Sequence, residues 1–169
     1  MLVPISPRAS LVDVTSDTLP ALIELHKIIF PVTYGVKFFE YVLNSGDLAK
    51  LIYYDNYCVG VICCRLEKVP YDDYTARLYM MTLGVLKNYR NLGLGSILIE
   101  YIMSVASRTT SPLITSVYLH AQTVNEKAIR FYMRNGFQIE AIVHDYYKLN
   151  ENRDAYVLSR PVFHFNQTG

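Results

Sequence analysis

The sequence predicts an α/β fold, a mixed central sheet of about seven strands with flanking helices. Two features carry that expectation. Through the first half, apolar and aromatic runs of strand length are separated by Asp, Asn, Gly and Pro, with two stretches of helical spacing near the start. From Arg77 onward the order becomes strand, helix, strand, helix, strand, with amphipathic helices and short apolar strands.

The first strand covers Leu11 to Val14. Asp17-Thr18-Leu19-Pro20 then supplies a cap and a proline for a helix start, and Leu22, Leu25 and Ile29 recur at helical spacing. That helix must stop before Pro31, because the residue preceding a proline is pushed toward extended geometry. A second helix is expected from Lys37 to Asn44, ending near Gly46. Leu51 to Tyr54 and Val59 to Leu66 read as a hairpin across Asp55-Asn56, whose side chains tolerate turn geometry. Val69 to Thr75 is a loop leading into a long strand, Arg77 to Val85. Ser96 to Ser107 places Ile97, Leu98, Tyr101, Ile102 and Val105 on one helical face. After the Thr109 to Ser116 connection, Val117 to Ala121 is a buried strand. Thr123-Val124-Asn125-Glu126 has the form of a capping box, and Gly136 closes that helix as a left-handed cap. Another strand begins near Gln138, and the last runs from Ala155 to Leu158.

Composition bounds the function. With 169 residues and 51% hydrophobic content, residues 1–169 are expected to form a single domain, with its core at about 11–159 and a short polar tail. Lys and Arg total 16 against 15 Asp and Glu, so a formal charge of +1 offers no field for a phosphate backbone, and direct nucleic-acid binding is not expected. No run approaches the roughly 20 apolar residues of a spanning helix, and Met1-Leu2-Val3-Pro4-Ile5 has no basic segment before an apolar stretch; no membrane association is expected. Cys58, Cys63 and Cys64 lie in strand-like sequence without metal-ligand or redox spacing, which suits a reducing cytoplasm. His26, His144 and His164 show no ligand spacing either, and no metal is expected. Asn166-Gln167-Thr168 matches a glycosylation sequon at a frequency chance supplies.

One turn carries chemistry. Tyr89-Arg90-Asn91-Leu92-Gly93-Leu94-Gly95-Ser96 joins the long strand to a helix, and glycines there let a ligand approach the backbone. The free N–H groups and positive dipole end of the helix suit a pyrophosphate. An ordinary strand-to-helix turn would read the same way. The chain has neither the Gly-Lys-Ser/Thr of a P-loop nor a third glycine with a later acidic residue for a dinucleotide fold.

Arg90-x-x-Gly93-x-Gly95 after an apolar strand, followed by Asn125-Glu126-x-Ala128-Ile129-x-Phe131-Tyr132-x-x-x-Gly136-Phe137, resembles the GCN5-related N-acetyltransferase (GNAT) superfamily. The similarity runs from about Leu11 to Leu158 and implies the GNAT fold, with parallel strands splayed around acetyl-coenzyme A. Arg90 and the backbone from Asn91 and Leu92 through Gly93, Leu94 and Gly95 to Ser96 would cradle the pyrophosphate. Leu83, Gly84 and Val85 would pair with the pantetheine arm, and Asn125 and Tyr132 would line its far side. Phe30-Pro31-Val32-Thr33-Tyr34, Leu78-Tyr79-Met80-Met81-Thr82-Leu83-Gly84, Tyr118-Leu119-His120 and Asp145-Tyr146-Tyr147-Lys148 narrow the likeness to members that acetylate N-terminal α-amines.

Tyr79 and His120 are the candidate bases. On a strand, Tyr79, Met81 and Leu83 share one face, as do Tyr118 and His120 on the next, so both candidates can border one cleft. Each has a plainer reading. This chain has 15 tyrosines, so Tyr79 could simply pack, and a lone histidine ending a buried strand is often structural. The resemblance assigns Tyr79 and His120 the base role through an ordered water, a backbone N–H near Leu83 the developing oxyanion, and Tyr132 the departing thiolate. By the same resemblance Phe30, Pro31, Val32, Tyr146 and Tyr147 form a pocket for an initiator methionine and the next residue, with Tyr34 and Met81 near the amine. Phe30 and Val32 could equally pack a helix end. The chain departs from the pattern at Leu149-Asn150, after Tyr147-Lys148, and the Val69 to Thr75 and Thr109 to Ser116 segments look longer.

The implied activity is transfer of acetyl from acetyl-CoA to N-terminal peptides of nascent proteins that start with Met and a hydrophobic residue. Lysine or small-amine acetylation on the same fold is the alternative, as is a scaffold role beside another acetyltransferase. The implied partners are the auxiliary and catalytic subunits of the NatA complex and, through them, the ribosome; the implied compartments are cytoplasm and nucleus. Met1-Leu2 would itself match the acceptor pattern.

Overall fold

The computed structural model describes residues 8–165. In chain order the elements are β1 (Ala9–Asp13), α1 (Leu19–Ile29), α2 (Val36–Leu43), β2 (Ala49–Tyr54), β3 (Tyr57–Lys68), β4 (Thr75–Val85), α3 (Leu94–Arg108), β5 (Leu113–Gln122), α4 (Glu126–Arg134), β6 (Gln138–Val143) and β7 (Ala155–Pro161). Short 3-10 turns occupy Gly46–Leu48 and Lys87–Tyr89. The seven strands form one mixed sheet in the order β1-β2-β3-β4-β5-β7-β6. The chain divides into two compact units, Met1–Arg65 with Met80–Val105 and Leu66–Tyr79 with Ala106–Gly169.

In the first unit, β1 pairs antiparallel with β2 from Ala9↔Tyr54 to Asp13↔Lys50, and β2 with β3. The β2–β3 hairpin turns on Asp55 (φ 49°) and Asn56 (φ 68°), the two left-handed positions that a tight hairpin with the right twist requires. Leu22, Leu25, Val42, Ala49, Leu51, Val61 and Cys63 form a buried cluster, so α1 and α2 bury their apolar stripes on the inner positions of β2 and β3. α1 ends as its proline requires, with Phe30 extended at φ −105°, ψ 136°. Its start differs from expectation. Thr18 is the N-cap but makes no side-chain cap bond; its hydroxyl instead donates to the Asp13 carbonyl at 2.8 Å and accepts from the Thr15 amide.

In the second unit, β4 and β5 run parallel from Thr75↔Leu113 to Tyr79↔Tyr118, where the ladder stops although β4 continues to Val85 and β5 to Gln122. β7 lies between β5 and β6, antiparallel to both. β5 begins at Leu113, earlier than the expected Val117, because Leu113 donates to the Tyr74 carbonyl and joins the sheet directly after its turn. The start of α4 is a correction. Asn125, not Thr123, is the N-cap, its side-chain oxygen accepting from the Ala128 amide at 3.2 Å, so no Thr123–Glu126 capping box forms. Gly136 (φ 85°) closes the helix as read: its amide donates to Met133 and that of Phe137 to Tyr132, with the Tyr132 and Phe137 rings 5.6 Å apart. Residues after Leu158 are not simply a polar tail, since β7 runs to Pro161, the Val162 amide donates to the Thr115 carbonyl, and Val162 is buried. Met1-Leu2 and Asn166-Gln167-Thr168 lie outside the described residues.

Candidate active site

Tyr79 ends the paired part of β4, and His120 lies two residues past its cross-strand neighbour Tyr118 on β5. Alternation on both strands turns Leu78, Val117 and Leu119 into the core and leaves Tyr79, Tyr118 and His120 half-buried on the opposite face. There the Tyr79 hydroxyl lies 3.0 Å from His120 Nδ1 and 3.3 Å from the Tyr146 hydroxyl. The Tyr146 ring stacks on the imidazole, centroids 4.1 Å apart and planes 7° from parallel, and Tyr147 meets Tyr146 edge-on at 4.9 Å.

Burial decides what these groups can do. Desolvation, with the Tyr146 hydroxyl second, raises the Tyr79 pKa far above that of an ordinary phenol, so Tyr79 keeps its proton. Desolvation lowers the His120 pKa below its ordinary value of 6.5, so the imidazole is neutral at pH 7. Of the two, only the neutral imidazole is basic enough to take up a proton.

The loop carrying Tyr146 and Tyr147 is tied at its base. Asp154 accepts from the Asp145 amide and pairs with His144, and the Tyr147 amide donates to the Arg153 carbonyl. Asp145 itself sits at φ 57°, a left-handed position that Asp tolerates. Asp154 was not singled out in the sequence, although an Asp immediately before a strand and ten residues after a histidine is the only available trace of it. Arg77 was missed as well. Its guanidinium lies 4.1 Å from the centroid of the Tyr118 ring, donates to Ser116 and pairs with Glu140, while Tyr118 packs on Tyr79 at 5.0 Å. The strand period that relates Arg77 to Tyr79 could have revealed it.

The glycine turn belongs to the first unit. Asn91 (φ 63°) and Gly93 (φ 78°) take the left-handed positions, and a side chain added at Gly93 would meet no atom within 4 Å, leaving the backbone open. α3 starts at Leu94, earlier than the expected Ser96, so the amides of Leu94, Gly95 and Ser96 belong to the first turn, which has no intrahelical acceptors for them. Arg90 closes the turn by donating to the Val85 carbonyl at 3.0 Å. Backbone donors at the positive end of a helix fit a diphosphate. Asn125 and Tyr132 lie in the second unit, Asn125 as the cap of α4.

Phe30 and Tyr34 are half-buried in the first unit, their rings 6.2 Å apart, while Pro31 and Val32 are exposed. Met81 packs against the core cluster of the same unit. Gly84 is held by packing: an added Cβ would stand 2.6 Å from Ile29 Cγ2 and 2.9 Å from Phe30 Cζ. Cys63 and Cys64 are buried and Cys58 half-buried; burial pushes the Cys58 thiol up to about 11 and Cys63 up to about 12, and neither is a nucleophile at neutral pH. Among the described residues no group of three or more His, Cys, Asp or Glu could hold a metal ion, and no helix is long and apolar enough to cross a membrane.

The sequence profile of the acetyltransferase (GNAT) family matches residues 19–137, which include the glycine turn, Tyr79, His120 and all of α4. This chain belongs to the GNAT acetyltransferase family. Within it, the chain is 42% identical over 148 residues to the probable N-acetyltransferase san of Drosophila melanogaster, covering 88% of this chain and 78% of that protein. It is 40% identical over 153 residues to N-alpha-acetyltransferase 50 of Danio rerio, covering 90% and 88%. Among solved structures, Arabidopsis thaliana Naa50 in complex with the bisubstrate analogue CoA-Ac-MVNAL superposes with a TM-score of 0.81 at 40% identity, covering 90% of this chain and 98% of that one. Arabidopsis NAA60 in complex with acetyl-CoA superposes with a TM-score of 0.79 at 24% identity, a likeness of fold. The GNAT fold expected from the motifs, with its mixed seven-stranded sheet, is the one observed.

Proposed function

We propose that this GNAT protein transfers the acetyl group of acetyl-CoA to the α-amino group of peptides that begin with methionine followed by a hydrophobic residue. The observation that carries the reading is the 40% identity, over nearly the whole chain, to a protein solved with coenzyme A joined through acetyl to the peptide MVNAL. Acetyl-CoA supplies a thioester carbonyl open to a neutral amine. The chain supplies the rest: the turn from Asn91 to Ser96 holds the diphosphate, Leu83, Gly84 and Val85 offer backbone to the arm, and Asn125 and Tyr132 are further candidates for contact with it.

A peptide α-amine titrates near ~7.7 to 8.0, so much of it is already neutral at pH 7 to 8 and modest base assistance suffices. With the imidazole proton on Nδ1, His120 donates to the Tyr79 oxygen and offers Nε2 to the proton leaving the amine, directly or through one water. Tyr79 stays a phenol and holds the ring in place. A Tyr132 hydroxyl beside the departing sulfur would return a proton to it. By the family resemblance Phe30, Pro31 and Val32, and likewise Tyr146 and Tyr147, are the candidates for receiving the methionine side chain, which fills an apolar slot flexibly, and Tyr34 and Met81 are the candidates near the amine. On the same likeness the protein would act in the cytoplasm and nucleus, with NatA subunits, and the ribosome through them, as partners. Mass-spectrometric assay of Met-Leu and Ser-Glu peptides with purified protein tests the reading: acetylation of the Met-Leu amine supports it, and acetylation only of an internal lysine rejects it.

A further inference from the structure

His26 is 1% exposed in the last turn of α1, and the mechanism above makes no use of it. Both ring nitrogens are engaged: Nδ1 lies 2.9 Å from the Leu22 carbonyl and Nε2 lies 3.1 Å from the Thr82 hydroxyl. A carbonyl can only accept, so Nδ1 carries the proton and Nε2 accepts from Thr82. One directional chain therefore runs from β4 to α1.

The imidazole so fixed is a platform for rings. Phe30 lies 5.0 Å from it, Tyr34 5.3 Å, Phe38 5.4 Å and Phe39 5.7 Å, the last three edge-on. Phe30 also touches the backbone at Gly84, so its ring is wedged between the imidazole and β4. An aliphatic residue at position 26 could fill the volume, but it could not tie the helix end to Thr82, next to Met81 and Leu83. We propose that His26 is a positioning residue for the acceptor peptide: its hydrogen bonds to Leu22 and Thr82 fix the ring on which Phe30 and Tyr34 are seated. The proposal rests on the functional reading above, in which Phe30 and Tyr34 receive the N-terminal methionine.

The test is steady-state kinetics on a Met-Leu peptide with wild type, H26L, T82V and T82S, beside the melting temperature of each. T82V keeps the shape of the site and removes only the hydroxyl, so it remains informative even if H26L fails to fold. We expect the peptide KM to rise about fivefold to twentyfold in H26L and about threefold to tenfold in T82V, as losing one buried hydrogen bond implies. The KM for acetyl-CoA and kcat should stay within about twofold, and T82S should restore the peptide KM, since a merely structural role would not produce this split. A T82V peptide KM within twofold of wild type, or equal losses in both substrates, overturns the proposal. Wild-type protein inactive on every Met-Leu peptide overturns the functional reading instead, and this inference with it.

Discussion

The Tyr79 hydroxyl meets His120 Nδ1 at 3.0 Å while the Tyr146 ring lies flat on the imidazole. This contact holds the imidazole in one orientation and leaves its Nε2 for chemistry. Tyr79→Phe therefore loses the contact that orients the ring, and His120→Ala the proton acceptor. We expect kcat/KM to fall about tenfold to a hundredfold in Y79F and a hundredfold or more in H120A, with coenzyme binding retained in both, measured by calorimetric titration. Loss of coenzyme binding in either variant would contradict the assignment.

The direction of the His120 shift gives a pH dependence. Burial lowers its pKa below 6.5, so the base is available throughout the neutral range and is lost only on the acid side. The kcat/KM profile should rise as His120 deprotonates below pH 6.5, then rise again as the peptide amine deprotonates near ~7.7 to 8.0. H120A should retain only the upper limb. A wild-type profile with a limb above pH 9, the signature of a tyrosinate base, would move the role to Tyr79.

Tyr146 contributes a ring and a hydroxyl, and the two can be separated. Tyr146→Phe keeps the stack on His120 and removes the 3.3 Å contact with Tyr79. Tyr146→Ala removes both. Stacked aromatic pairs are worth about 0.5–1.5 kcal/mol beyond area burial, which sets about a tenfold ceiling on the stack's share of kcat/KM. Y146F should stay within about threefold of wild type and Y146A should lose about tenfold; equal losses in the two would show that the hydroxyl dominates.

Gly84→Ala should damage the acceptor side. A Cβ there would overlap Ile29 Cγ2 and Phe30 Cζ, and overpacking typically costs about 1–3 kcal/mol. The melting temperature should drop and the peptide KM should rise, because Phe30 must move. An alanine variant with both values unchanged would show that α1 yields freely at its end.

Acid should weaken the fold through the buried histidines. His26 and His120 both have folded-state pKa values lowered by desolvation, so the unfolded chain binds more protons than the folded one below pH 6.5. Their contribution is therefore complete above 6.5 and lost as pH falls through the folded values. Denaturant titrations at pH 7.5 and 5.5 should show wild type losing more stability between the two than H26L does.

Much of this was legible in the sequence. Pro31 fixed the end of α1, Asp55-Asn56 the hairpin, and Gly136 the close of α4, because each acts through its own backbone geometry. Starts were harder. At α4 the residues Thr123 and Asn125 compete for the cap, and Asn125 takes it, while the Thr123 amide donates to the Asp154 carbonyl. Tyr79 and His120 emerged from strand alternation plus the family motifs. Arg77, Asp154 and His26 did not, since their roles depend on partners 39, 9 and 56 positions away that no local pattern encodes.

The central claim is that a neutral imidazole, oriented by a phenol, deprotonates the α-amine of a methionine-led peptide. The most direct measurement is the rate of N-terminal acetylation of a Met-Leu peptide by wild type and H120A under saturating acetyl-CoA, read by mass spectrometry at pH 7.5. The account predicts rapid modification of the α-amine by wild type and a loss of a hundredfold or more in H120A. Equal rates for the two proteins, or acetyl found on an internal lysine with the α-amine free, would contradict it.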